Sequence, residues 1–224
     1  MRITLLCNTG LAITHGGQTL LIDVPNEASV PFYALPDDTW NEILNRTSPY
    51  DQVCGLLFTH THPDHCDRNK VRAFRDRWSQ IRCFLPEENP EKGTIVCGPF
   101  TVSYMRIDHA PMEGFVPPHV VFWVRAGEKS VYIASDAKPD VAAHQAFLKG
   151  RQANAAFWIS IYMSQPDTRA LMAYTAPRNY IYHMPKERPD DYGLWKKCDR
   201  NFQRYAEELR SVVLMEGYPY EIEV

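Results

Sequence analysis

Three histidines and an aspartate crowd into the segment Thr59-His60-Thr61-His62-Pro63-Asp64-His65. Neutral imidazoles and carboxylates are the side chains that hold divalent ions of borderline character, so this spacing reads first as a metal site. The apolar run Val53 to Phe58 precedes it and reads as a buried strand, which makes the segment the loop leaving that strand's C-terminal end. Loops at that end are a frequent place for sites in sheet proteins. Residues two apart in an extended loop point the same way, so His60 and His62 can reach one ion. Pro63 bends the chain, and Asp64 and His65 beyond it can reach a second ion nearby.

Together with four further positions, the loop resembles the signature of the metallo-β-lactamase superfamily. The motifs of that superfamily run as an aspartate after an early strand, the H-x-H-x-D-H loop, a lone histidine, an aspartate or cysteine, and a final histidine. Asp23 in Leu20-Leu21-Ile22-Asp23 matches the first, and His109 in Arg106-Ile107-Asp108-His109-Ala110 matches the third. Asp136 in Ala134-Ser135-Asp136-Ala137 matches the fourth, and His183 in Ile181-Tyr182-His183-Met184 the last. The motifs span Asp23 to His183, and the flanking strand and helix pattern extends the likeness over essentially the whole chain. The resemblance implies an α/β fold: an αββα sandwich of two mixed β-sheets with helices on the outer faces. It implies two metal ions in a groove at one edge, the first held by His60, His62 and His109 and the second by Asp64, His65 and His183. Asp136 would bridge them, and Asp23 would orient the ligands from behind. Zn²⁺ is the expected metal, and Mn²⁺ or Fe²⁺ also suit these donors.

The chemistry so implied is hydrolysis. Two divalent ions about 3.5–4 Å apart turn the water between them into a hydroxide near neutral pH and stabilise charge on the attacked oxygen. Asp64 and Asp136 are the expected catalytic residues, Asp64 lying close enough to the water to hold or relay its proton. No serine or cysteine nucleophile is needed, and Cys66 reads as a packing residue. Zinc β-lactamases of the common type carry a cysteine where Asp136 stands, so antibiotic hydrolysis is not expected. Flavodiiron relatives carry a glutamate where His62 stands, which argues against a redox role. The Asn8-Thr9-Gly10 turn, Gly16-Gly17 and the Glu221-Ile222-Glu223 ending look more like the branch containing ascorbate-6-phosphate lactonase, ribonuclease Z and small phosphodiesterases. There is no inserted arm of the kind that grips tRNA. The expected function is a dinuclear hydrolase of a small anionic ester, a phosphodiester or a lactone. The alternatives are a metal-dependent ribonuclease or nucleic-acid phosphodiesterase, and a metal-stabilised binding module without turnover.

Strands and helices must alternate to position such residues, and the sequence supplies both. Ile3 to Cys7, Leu11 to Thr14 and Thr19 to Val24 are short apolar runs broken by Asn8-Thr9-Gly10 and Gly16-Gly17. Thr94 to Cys97, Thr101 to Ile107, Val120 to Val124 and Ser130 to Ala134 follow, with Arg125 to Lys129 as a hairpin turn and Tyr220 to Val224 as a closing strand. Val71, Phe74, Trp78 and Ile81 make one helical stripe; Trp40, Ile43 and Leu44 make another, with Asp38 or Thr39 as its cap. Leu194, Cys198, Phe202, Tyr205, Leu209 and Val212 predict a long helix near the end of the chain.

Composition bounds the rest. The 224 residues are 45% hydrophobic and 23% charged, which suits one folded domain spanning residues 1–224. A net charge of −3 does not favour a general nucleic-acid binder. No apolar stretch approaches the ~18 residues that span a membrane. The N-terminus reads as a strand and not as a signal peptide, and the six cysteines are scattered, so reduced thiols and a cytoplasmic location are expected. Five of the eight histidines belong to the motifs. Of the others, His15 reads as a turn residue, His144 as a surface residue on a helix, and His119 as a residue that could line the groove. Met112-Glu113-Gly114-Phe115 could touch substrate or serve only as a connection. Lys138, Arg178, Lys186 and Arg188 lie near the last two motifs and could hold an anion, Lys138 and Lys186 first among them. Arg68, Lys70, Arg72, Arg75, Arg77 and Arg82 read as a solvated helix face or, less simply, as a phosphate-attracting patch.

Overall fold

Period-two alternation of apolar residues builds the first strands. Ile3 and Leu5 of β1 (Arg2–Leu5), Leu11 and Ile13 of β2 (Leu11–His15), and Leu20 and Ile22 of β3 (Gln18–Ile22) all enter one core, as the pleat requires. Gly16 and Gly17 join β2 to β3 with φ of 57° and 78°, the backbone that a tight hairpin turn demands. The chain then forms α1 (Asp37–Asn45), β4 (Val53–Leu57), α2 (Arg68–Arg77) and β5 (Arg82–Phe84). The computed structural model describes all residues, 1–224.

A second sheet follows from β6 (Lys92–Cys97), β7 (Phe100–Arg106), β8 (Val120–Ala126) and β9 (Lys129–Ser135), an antiparallel run. After α3 (Val141–Leu148), β10 (Ala155–Trp158), α4 (Pro166–Thr175), β11 (Asn179–Ile181), α5 (Leu194–Arg204) and β12 (Val212–Leu214), three parallel pairings complete it. The last strand, β13 (Tyr220–Glu223), returns to pair with β1. The sheets run β13-β1-β2-β3-β4-β5 and β12-β11-β10-β9-β8-β7-β6, and both are mixed.

Three apolar layers hold this sandwich together. Between the sheets, Ile13, Leu20 and Phe84 meet Phe100, Phe122 and Phe157. Outside the first sheet, Trp40 and Ile43 of α1 and Val71 and Phe74 of α2 cover Leu21 and Leu56. Outside the second, Phe147, Leu171 and Cys198 from α3, α4 and α5 cover Trp123, Tyr132 and Trp158. The residues of one strand therefore serve two layers: Phe122 and Val124 face inward while Val121 and Trp123 face the helices. Each such fully buried side chain contributes about 1.5–3 kcal/mol. This is the αββα architecture expected from the motifs.

Several local expectations are corrected. The N-cap of α1 is Pro36, with no capping side chain, and Asp37 and Asp38 instead lie in the first turn, where they favour the helix dipole. The long C-terminal stripe is not one helix. α5 stops at Arg204, a run of turns carries Leu209 back into the same layer, and Val212 starts β12 opposite Asn179. The helical spacing persists because those turns keep i to i−4 bonds such as Leu209 N–H to Tyr205 O, while the paired Val212-Val213 prefers the sheet edge. β5 and β10 were not legible because they are short, and α4 was not because its buried face mixes Thr168, Arg169 and Thr175 with Leu171 and Met172 and so shows no apolar stripe. All six cysteines are free, and Cys66 is buried beneath α2 as a packing residue. No helix is long and apolar enough to cross a membrane.

His144 is a correction with consequences. It is fully buried, its Nδ1 meeting the Tyr132 hydroxyl and its Nε2 the Tyr162 hydroxyl at 2.7 Å. The Tyr162 hydroxyl also donates to Ala137 O at 3.0 Å, tying α3 to the segment after Asp136. Burial holds the His144 pKa down at about 4, against about 6.5 for a solvated imidazole. As pH falls, the unfolded chain takes up this proton first, so the stability His144 provides above pH 6.5 is lost between 6.5 and about 4. Denaturant unfolding of the wild type should therefore lose about 2 kcal/mol more between pH 7.5 and pH 5 than His144→Gln does. Equal losses in the two proteins would refute this.

Candidate metal centre

Every side chain of the centre leaves the C-terminal end of a strand: Asp23 follows β3, His60 follows β4, His109 follows β7, Asp136 follows β9 and His183 follows β11. β3 and β4 are parallel, and β7, β9 and β11 run in one direction within their sheet, so all five arrive at one edge of the sandwich. Three residues there bend the backbone into the left-handed region: Asp23 (φ 52°), Ser135 (φ 50°) and His183 (φ 57°). Two other non-glycine residues do so, Arg46 and Lys149, and both are ordinary helix C-caps. Strain of this kind persists where surrounding contacts over-determine it.

Those contacts are hydrogen bonds that fix each imidazole. Asp23 is fully buried and accepts from Thr59 N–H (2.7 Å), the Thr59 hydroxyl (2.8 Å) and His65 Nδ1 (3.1 Å). Since a carboxylate only accepts, His65 keeps a proton on Nδ1 and turns Nε2 to the centre, where that nitrogen is bare once an ion displaces its second proton. The Thr59 hydroxyl, already donating to Asp23, accepts from His60 Nδ1 at 3.1 Å, which leaves His60 Nε2 bare too. His109 Nδ1 donates to Ala110 O at 2.6 Å. His62 is turned the other way: its Nε2 donates to Phe115 O at 2.9 Å, freeing Nδ1. Orientation of ligand imidazoles by such outer bonds is characteristic of metal sites.

The bare atoms converge without finding partners. His60 Nε2, His65 Nε2, His109 Nε2 and Asp136 Oδ1 are all buried and make no hydrogen bond, an expense a protein tolerates where something else binds them. Ligand atoms of His60, His62 and His109 lie within 4.8 Å of one another, as do those of His60, His65 and Asp136, and those of Asp64, His65 and His183. Asp136 Oδ2 is 3.5 Å from His109 Nε2 and 3.4 Å from His183 Nε2, and Asp64 Oδ2 is 3.3 Å from His183 Nε2. The edge of a tetrahedron with Zn–N bonds of ~2.0–2.1 Å is about 3.3 Å, so these spacings fit ligands of a divalent ion.

Charge tells the same story. Burial alone would raise the Asp64 carboxyl, but His65 and His183 outweigh it and hold it at about 2. Asp136 is likewise held far below the usual range, chiefly by His183 and His65 against the opposing effect of burial. In return, against the opposing effect of burial, Asp136 and Asp64 hold the His65 imidazolium well above its ordinary value and raise His183 to about 9. Burial pushes His60 far down, and it stays neutral. Two half-buried carboxylates thus demand cationic charge at this point. Protons on His65 and His183 supply it in the protein alone, and a divalent ion would displace them.

The sequence matches no family model and no curated protein. The structure does have likenesses. An isothiocyanate hydrolase from Delia radicum gut bacteria superposes with a TM-score of 0.64 at 15% identity, covering 100% of this chain and 99% of that one. A metallo-β-lactamase fold protein from Bacillus subtilis gives 0.61 at 14%, covering 98% of each chain. The short form of human tRNase Z gives 0.56 at 14%, covering 100% of this chain and 99% of that one. The chain adopts the metallo-β-lactamase fold.

Within the metallo-β-lactamase fold the seven expected ligands come together at one edge, with Asp23 directly behind His65. His119, expected at the groove, is instead sealed from solvent, with its ring 5.1 Å from that of His60 and 5.9 Å from that of His109 and its Nδ1 donating to Ile107 O. Lys138 contributes its carbonyl to the His144 network while its side chain is exposed, and the Lys186 ammonium lies over the Tyr33 ring at 4.9 Å. Arg178 holds Glu223 O of β13, and Arg188 is exposed beside Glu187. Neither lysine lines the cavity of about 260 Å³ that opens beside Asp136 and His183. Sequence reasoning missed Asn8, Thr9, Thr59 and Ser135. Asn8 Nδ2 donates to Asp64 Oδ2 at 3.3 Å, and Thr9 Oγ1 lies 3.1 Å from His65 Nδ1. The Asn8-Thr9-Gly10 turn was the available signal, but read alone it is only punctuation.

Proposed function

We propose that the chain is a metal-dependent hydrolase that holds two divalent ions, Zn²⁺ the first candidate, and cleaves a small anionic ester, a phosphodiester or a lactone. The observation that carries this reading is the convergence of four buried, unpartnered donor atoms with two carboxylates that draw cationic charge. When bound, the ions supply Lewis acidity and an acidified water. The residues do the rest. Asp64, pinned by Asn8 and close to His183, accepts on Oδ2 the proton that the attacking water gives up. Asp136 sits between the ligand groups, and Asp23, through Thr59 and His65, keeps the imidazoles aimed. The hydrolase names borne by structural neighbours support the same class.

A nuclease is the second reading, favoured by the likeness to tRNase Z. The basic run speaks against it: Arg68 pairs with Glu87, Lys70 with Asp37 at 3.1 Å and Arg75 with Glu88 at 2.7 Å, so half of the cations are already matched. Metal analysis of the purified protein, with a panel of bis-p-nitrophenyl phosphate, lactones, thioesters, an isothiocyanate and a β-lactam, tests the class. Two ions per chain and turnover abolished by chelator are expected. Turnover that chelator leaves intact would overturn the proposal, and salt-sensitive cleavage of short RNA would favour the nuclease.

A further inference from the structure

The cavity beside the metal centre has a chemistry of its own. Asp136 and His183 form its inner end, and Phe32, Ile159, Ile161 and Leu194 give it apolar walls. The face of α5 that closes it carries Leu194, Lys197, Cys198 and Asn201, a spacing of three and four that puts all four on one side of the helix. Asn201 Nδ2 donates to Ser164 Oγ at 3.4 Å, so these two polar groups are partly matched to each other. Burial pushes the Cys198 thiol up, which keeps it neutral. Asp136 is the one acid among the lining residues and belongs to the centre. Lys197 is the one lysine or arginine and the one cation outside the centre, and its ammonium makes no ion pair or hydrogen bond in the protein. The volume, about 260 Å³, lies below the ~300–1,000 Å³ of sites for drug-sized ligands, so the bound group is short.

We propose that this cavity receives a short, mainly apolar arm of the substrate that ends in a single negative charge, with Lys197 as its specificity-determining partner. The inference rests on the hydrolase reading and narrows it: the scissile bond lies at the centre, the apolar stem lies along Phe32, Ile159 and Leu194, and the anion meets the ammonium at the mouth. The hydrophobic wall binds the stem whatever its end carries, while Lys197 discriminates by charge.

Mono-p-nitrophenyl adipate, p-nitrophenyl hexanoate and p-nitrophenyl ε-aminocaproate offer the same stem with an anionic, neutral or cationic end. The adipate ester should exceed the hexanoate ester about fivefold in kcat/KM, the scale of a single solvent-facing ion pair. Lys197→Met should abolish that preference, and Lys197→Glu should transfer it to the aminocaproate ester. Calorimetric titration with free adipate and free hexanoate gives a second readout independent of turnover: adipate should bind the wild type more tightly and Lys197→Met no better than hexanoate. Chelator-sensitive turnover with equal kcat/KM for the three esters would overturn this assignment and leave the hydrolase reading standing. If none of the esters is turned over, equal or absent binding of the two acids overturns it just as well, whereas selective adipate binding upholds the cavity and places the failure in the choice of reaction.

Discussion

Asp136→Ala is expected to lower turnover by about 10³-fold and to reduce the metal content to one ion or none. Asp136 is the carboxylate that residues of both candidate ligand groups approach. Its Oδ1 lies 3.6 Å from His65 Nε2, and its Oδ2 faces His109 and His183. Without it, His60, His62 and His109 on one side and Asp64, His65 and His183 on the other share no anionic ligand. Asp136→Asn keeps the shape and removes the charge, and should retain more metal than alanine but little more activity. Elemental analysis and initial rates decide the matter. A variant that retains two ions and turns over within tenfold of the wild type would contradict the role assigned to this carboxylate. Loss of the fold is excluded as the cause if the melting temperatures of variant and wild type, both in chelator, stay close.

Asp23→Ala should cost about 3–5 kcal/mol of stability and 10- to 100-fold in metal affinity, although Asp23 is not expected to touch an ion. Its carboxylate satisfies three buried donors, Thr59 N–H, the Thr59 hydroxyl and His65 Nδ1. Truncation strands all three where water does not reach. Alanine is also strained at φ 52°, a conformation that asparagine tolerates better. Asp23→Asn therefore separates the effects: it should recover part of the stability and little of the metal affinity, because the amide nitrogen opposes a donor that the carboxylate accepted. Denaturant unfolding in chelator reads the first quantity and competition with a metal indicator reads the second. Wild-type metal affinity in Asp23→Ala would sink the idea that this residue aims His65.

The metal loop was legible because its chemistry is local. His60, His62, Asp64 and His65 are metal-donor residues by type, and the apolar strand before them fixes where their loop emerges. The strands were legible for a similar reason, since alternation of side chains along Leu20 to Ile22 or Phe100 to Tyr104 reports which face is buried without reference to anything distant. His144 and His119 show the limit. Each looks like any other histidine in the chain, and each is buried because segments far away bring Tyr132 and Tyr162, or His60 and His109, against it.

The amino-acid sequence by itself determined the candidate ligands, their order along the chain and the layered class of the fold, because residue type, motif order and short-range periodicity carry that information. Only the tertiary structure decided which nitrogen of each imidazole is bare, that α5 stops at Arg204, and that Lys197, and neither Lys138 nor Lys186, faces the cavity. The physical reason is the same in each case. A hydrogen bond such as Asn8 to Asp64, or a helix face turned toward a cavity, depends on packing between segments that are distant in sequence, and no local spacing encodes that contact.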